Sequence, residues 1–324
     1  MANPLDDRLL TLTAIITVVF QFSFFLITYF LRFDKVTDFA GTTNFLILAV
    51  VTLTVGGAYQ TRQIVISTCV FIWGTRLCAF LLYRIILWGE DRRFDDKREN
   101  LGQLAIFWSL QAVWAWTVSL PVTIVNSKPV TDSLTALDYV GWIIFACGAL
   151  LEAVADQQKL RYKQSEASKD RWTDVGVWAW SRHPNFFGEM LVWWGLYMSA
   201  LNDLRGAEHA AIAGPIFITL LLMFVSGIPI LEKSADGKHG NKEGYVIYKK
   251  RTSVLIPCPP VLYVKLPEIL KATLLLDFKL YNPGGKSEND EMVTDPKANE
   301  STSLVDFEKR ASGERSAAAQ IINV

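Results

Sequence analysis

Histidine is scarce in this chain. The 324 residues contain 3, His183, His209 and His239, and they lie far apart. That spacing excludes the dense histidine sets of membrane di-iron desaturases and hydroxylases. Cysteine is nearly as rare. Cys69, Cys78 and Cys147 fall inside apolar runs, Cys258 stands alone, and no pair has zinc-ligand spacing, so no zinc module or disulfide framework is implied. Formal net charge is zero, which removes any bulk electrostatic attraction to nucleic acid. No Gly-x-Gly-x-x-Gly follows a strand pattern and no Walker loop occurs, so Rossmann and P-loop nucleotide sites are excluded. No local motif assembles a Ser-His-Asp triad. Neither an internal repeat nor matched, interrupted halves are present, as a secondary transporter would require.

What the chain does have is apolar length. It is 51% hydrophobic, with a mean hydropathy of +0.24. A spanning helix needs roughly 20 mostly apolar residues. Seven runs qualify as candidates, at about 9–31, 43–60, 63–87, 103–125, 135–155, 186–204 and 210–231. They are continuous and lack a period of two, so helices are expected, not a barrel. The fold class expected is an all-α polytopic membrane bundle of about seven transmembrane helices. With the N-terminus outside, the inner loops hold twelve Lys and Arg residues and the outer loops only four, Arg8, Arg62, Lys128 and Arg205. The positive-inside rule then places the C-terminus in the cytosol. The first run reads as an anchor and not as a signal peptide.

The richest stretch in chemical terms is Val175–Tyr197. It sets Arg182, His183, Asn185 and Glu189 at the mouth of a Trp-rich apolar run. Pro184 suits the first turn of a helix, where a missing N–H has no consequence. Such a helix would start beside His183 with its positive dipole end facing the polar side, carrying Asn185 and Glu189 inward. A carboxylic acid there is costly without a partner. Arg76, near the middle of the third run, carries a similar cost and calls for a partner or a bound anion.

Elsewhere most features have structural readings. Tryptophans at span ends normally form the interfacial belt. The run Glu90–Glu99 is mixed in charge and reads as solvated surface or as a cofactor-facing loop. Glu152, Asp156, Lys159 and Lys163 follow one another at helical spacing past the fifth run, as an ion-pair-laced helix end would. Residues 265–281 read as an amphipathic helix at the membrane surface. Residues 282–324 read as a disordered polar tail. The organisation expected is thus 1–130 as substrate-side helices, 131–264 as a domain with a cofactor cleft, and then the surface helix and the tail. Basic groups (Lys159, Arg161, Lys163, Arg171, Arg182, Lys249, Lys250, Arg251) interleave with aromatics (Trp172, Trp178, Trp180, Tyr245, Tyr248) at the inner mouth. Such a set suits a nucleotide phosphate or an anionic lipid headgroup.

Four segments together carry a family likeness: Ala155-Asp-Gln-Gln-Lys159, Ser181-Arg-His-Pro-Asn-Phe-Phe-Gly-Glu189, Trp193-Trp-Gly195, and Tyr248 with Arg251-Thr-Ser-Val-Leu-Ile-Pro257. The sequence resembles the membrane steroid 5α-reductase-like superfamily over about 152–257, and most closely its branch with the Ser-Arg-His-Pro-Asn-aromatic-aromatic-Gly-Glu pattern. The resemblance implies an endoplasmic reticulum reductase that binds NADPH in a cytosol-facing cleft and reduces a C=C bond, of enone type, in a steroid-like or other lipid substrate. It implies no metal. By position, the residues facing the cofactor are Arg76, Asp156, Lys159, Lys163, Trp180, Arg182, His183, Asn185, Tyr245 and Tyr248. The catalytic candidates are Glu189, Tyr83 and Tyr59. The acids with which the reductases contact a substrate carbonyl have no match here. Isoprenylcysteine carboxyl methyltransferases share a related Arg-His-Pro motif and use S-adenosylmethionine. That chemistry, or a non-enzymatic lipid-binding role, stays open.

Overall fold

The computed structural model describes residues 8–31, 37–88 and 101–281. The mixed-charge run 90–99 and the tail 282–324 lie outside them. The helices are α1 (Leu10–Leu31), α2 (Thr37–Gly56), α3 (Thr61–Trp88), α4 (Leu101–Asn126), α5 (Ala136–Gln164), α6 (Pro184–Ala200), α7 (Ala213–Leu220), α8 (Ile228–His239), α9 (Glu243–Arg251), α10 (Pro260–Tyr263) and α11 (Glu268–Leu274). Among the described residues, β pairing is confined to one parallel bridge between Ser181 and Ser253. The chain is a polytopic helical membrane bundle.

Six helical segments are long and apolar enough to cross a membrane: α1, α2, α3, α4, α5 and the broken stretch Gly206–His239. The seventh expected span, 186–204, forms α6, whose 17 residues reach only about 25 Å. It stops at Ala200 because the next turn brings Asp203 onto Arg62, 2.7 Å away. The last span is also irregular. α7 passes into a π turn at Leu221–Val225 before α8 begins beyond Gly227.

Side-chain chemistry sorts the faces. On α1, Thr13, Thr17, Gln21 and Thr28 are buried while Ile15, Val18, Phe22 and Phe30 are exposed. Asn44 of α2 donates to Thr17 Oγ1 at 3.3 Å, so the polar stripe faces protein and the apolar stripe is left for lipid. Tryptophan departs from the belt reading. Trp73 and Trp193 are each 1% exposed and meet edge-on at 5.2 Å, with Phe45 packed against both. They sit in mid-helix, where a large ring fills the space between α2, α3 and α6.

α5 packs along α6 through glycines. A methyl group on Gly148 would lie 2.6 Å from Gly188 O, and one on Gly195 would lie 2.6 Å from Gly141 O. The backbones therefore approach as only small residues permit. This pairing sets α5 beside the start of α6.

The surface-helix expectation for 265–281 is corrected in part. The α-helix covers only Glu268–Leu274, because Pro267 opens it and Leu276, at φ 56°, breaks it, and a 3-10 turn follows at Lys279–Tyr281. The chain then folds back, and Tyr281 donates to Met223 O at 2.7 Å.

Candidate functional site

One turn of α3 brings Trp73 and Arg76 to the same face, opposite Glu152 and Asp156 of α5. Trp73 Nε1 donates to Glu152 Oε2 at 2.8 Å. Arg76 spans both acids, reaching Glu152 Oε1 at 2.5 Å and Asp156 Oδ2 at 2.7 Å. The partner that a mid-span arginine demands is therefore a pair of carboxylates. The helix-end reading of α5 changes accordingly. Glu152 and Asp156 do not pair with the lysines after them; Lys159 Nζ instead sits 4.5 Å over the Trp178 ring, and Lys163 donates to Arg171 O at 3.4 Å.

The 3-10 turn Gly176–Ala179 is fastened to the same end of α5. Trp178 Nε1 donates to Ala155 O at 2.9 Å and Val177 N to Gln158 Oε1 at 2.9 Å. Gly176 takes φ +57°, and a Cβ there would fall 2.4 Å from Gln158. Tyr248 of α9 closes the layer by donating to Trp178 O at 2.7 Å. Burial pushes its phenol well above the usual range, so it is a donor at neutral pH.

Two motifs far apart in sequence then meet. Arg182 N donates to Ser253 O at 2.8 Å, His183 N to Val254 O at 3.1 Å, and Ser181 Oγ to Leu255 O at 2.7 Å. His183 is the residue before α6, and Pro184 is its first position, as the sequence predicts. Beneath this seam lies Glu232 of α8, 5% exposed. It meets His183 Nε2 at 2.8 Å, Arg182 Nη1 at 3.3 Å and Lys249 Nζ at 3.0 Å. One turn on, Asp236 accepts from Tyr245 at 2.9 Å and from Lys249 at 2.7 Å. Desolvation lowers the His183 pKa, partly offset by Glu232, so the ring is neutral. Trp172 packs against Tyr245, Tyr248 and His239 at 5.2–6.1 Å, with Arg171 at its face.

Arg76, Asp156, Lys159, Arg182, His183, Tyr245 and Tyr248 thus belong to one linked polar region around the end of α5. Asn185 and Glu189 sit in the first turns of α6, and the side chain of neither makes a hydrogen bond among the described residues; neighbouring Gly188 packs against the Glu152 backbone. Trp180, next to Ser181, is 49% exposed, and Tyr83, about two turns beyond Arg76 on α3, is 50% exposed. Tyr59 does not join the polar region. It is exposed in the α2–α3 turn, about 25 Å away from Arg76 along the α3 direction at 1.5 Å per residue. Glu232, Asp236 and Trp73 escape a sequence reading. The available signal for Glu232 is an acid placed directly after the apolar run 210–231.

A second buried network holds the opposite end. Arg62 is fully buried, with Asp138 at 2.5 Å and Asp203 at 2.7 Å. Lys128 pairs with Glu208 at 2.7 Å and donates to Asp203 O. These cations, counted among the outer-side charges, also serve as structural ties. The cavity between Phe45, Val70, Val122 and Trp193, about 10 Å³, belongs to the apolar core. Among the described residues, no cluster of His, Cys, Asp and Glu is arranged to hold a metal ion.

Bundle and site together define a multi-pass membrane protein with a buried, mixed-charge polar region at one end of its helices. A family described as a protein of unknown function (DUF1295) matches residues 24–252, most of the chain. The chain belongs to that family, a steroid 5α-reductase-like group. No curated protein and no solved structure matches it.

Proposed function

We propose that this protein is a membrane-embedded, NADPH-dependent reductase acting on an electron-poor C=C bond, conjugated to a carbonyl, of a steroid-like or other lipid substrate. The observation that carries this reading is the convergence of Asp156, Lys159, Tyr248 and His183 on the end of α5, beside the start of α6. These residues come from three separate segments: α5, the stretch before α6, and α9.

The residues present fit such a cofactor. His183 Nδ1 is buried without a hydrogen-bond partner among the described residues, and Asn185 has an uncommitted amide beside it in sequence. Both lie where the first N–H groups of α6 point to the polar side, which favours anionic groups. Lys163, Arg171, Lys242 and Lys250 supply positive charge farther out, suited to phosphates. Trp172, backed by Tyr245 and Tyr248, offers aromatic surface for a planar base. The cofactor, when bound, supplies a hydride. Asn185 and Asp156, the latter held by Arg76, would orient it, Tyr248 holds the Trp178 turn beside the site, and Glu189 would hand a proton to the reduced substrate. In the family likeness, the membrane concerned is that of the endoplasmic reticulum.

The test is direct binding. Purified protein titrated with NADPH should enhance nicotinamide fluorescence and raise the melting temperature. Asn185→Ala and Tyr248→Phe should each weaken affinity about tenfold, the scale of one good hydrogen bond, while the protein still inserts. A parallel titration with S-adenosylmethionine covers methyl-transfer chemistry. Binding of that compound but not NADPH would replace this reading, and binding of neither would leave a lipid-binding role.

A further inference from the structure

Glu232 belongs to no motif, yet it is the hub of its region. Its carboxylate is nearly inaccessible and faces three donors from two segments, Arg182 and His183 before α6 and Lys249 of α9. With two fixed cations already beside it, it does not need a third positive charge from His183. A neutral imidazole carries one N–H and one bare nitrogen, and the tautomer is set by the partner of whichever nitrogen is bonded. Here the bonded nitrogen is Nε2, 2.8 Å from an acceptor-only group. The other nitrogen, Nδ1, is buried and has no partner among the described residues. The ring is further held by stacking on Phe186 at 5.6 Å and 7°.

We infer that Glu232 is a positioning residue: it keeps the His183 proton on Nε2 and so presents Nδ1 as a buried hydrogen-bond acceptor for a hydroxyl or amide N–H of the bound ligand. A lone buried acceptor is costly when unfilled, and an acceptor held in one orientation rejects ligands that lack the matching donor. The ligand part of this inference rests on the nucleotide reading above, since a ribose hydroxyl or a carboxamide supplies such a donor.

The chain's 3 histidines make the test simple. Full-length protein labelled with ¹⁵N-histidine in lipid nanodiscs gives few imidazole resonances, and His183→Gln identifies those of His183. The expected result is a protonated Nε2 and an unprotonated Nδ1. In Glu232→Gln, whose amide offers either a donor or an acceptor, the two tautomers should become mixed. Added NADPH should shift the wild-type Nδ1 resonance. His183→Gln, which keeps a group able to reach Glu232 but loses the Nδ1 acceptor, should bind NADPH about tenfold more weakly with an unchanged melting temperature. A proton on Nδ1 in the wild type, or an unaltered tautomer in Glu232→Gln, overturns the role of Glu232. If NADPH binds while Nδ1 stays unshifted and His183→Gln binds equally well, the acceptor role falls and the reductase reading survives. If NADPH does not bind at all, the reductase reading falls with the acceptor role, and the ligand-free spectra still decide the part played by Glu232.

Discussion

Arg62→Met is expected to destabilise the protein by about 3–5 kcal/mol, the cost of leaving buried charge without its counter-ion. The arginine is fully buried among Asp138, Asp203 and the carbonyl oxygens of Asp132 and Ser133. Methionine fills much of its volume but offers no donors, so two carboxylates would face each other in a site closed to water. Arg205→Met is the comparison. Its pair with Asp132 is 62% and 54% exposed, and such pairs contribute about 0–1 kcal/mol. Unfolding of both variants in the same detergent separates the two cases. Equal stabilities would mean that the buried network is no tie. Adding Asp138→Asn to Arg62→Met should recover part of the loss, because one stranded charge is removed.

The second large effect concerns the α5–α6 crossing. Gly188→Ala would place a methyl group 2.7 Å from the backbone N of Glu152 and 2.7 Å from Gly148 O. These are backbone atoms of a packed helix and cannot rotate aside, so the helices must separate. Overpacking of this kind costs about 1–3 kcal/mol. The displaced layer also carries Glu152, Asn185 and Glu189, so the NADPH affinity proposed above should fall together with stability. Gly237→Ala should act in the opposite sense. That glycine lies within α8 with nothing near its added methyl, and relief of backbone entropy stabilises by about 0.5–1 kcal/mol. A Gly188→Ala protein with a wild-type melting temperature would refute the close-packed crossing.

These sites differ in how readily the sequence discloses them. Pro184 at the start of α6 and the apolar runs behind α1 to α5 are local properties, legible from composition and spacing. Arg76 is legible as a problem, a charge in mid-span, but not as a solution. Its acids lie 76 and 80 residues away, and nothing in their neighbourhood announces the pairing. The same holds for Arg62, which reads as an outer-side cation and turns out to be fully buried with its partner Asp138.

On its own, the sequence decided that this is a helical membrane protein, where most spans begin and end, and which motif residues deserve attention. Those properties follow from hydropathy and backbone chemistry acting over a few turns. Only the tertiary structure decided that Arg76 answers to Glu152 and Asp156, that the Ser181–His183 stretch lies on Ser253–Leu255, and that Glu232 meets His183. Burial of a charge or a lone nitrogen is unfavourable until some distant group satisfies it, and the identity of that group is a matter of how the helices cross.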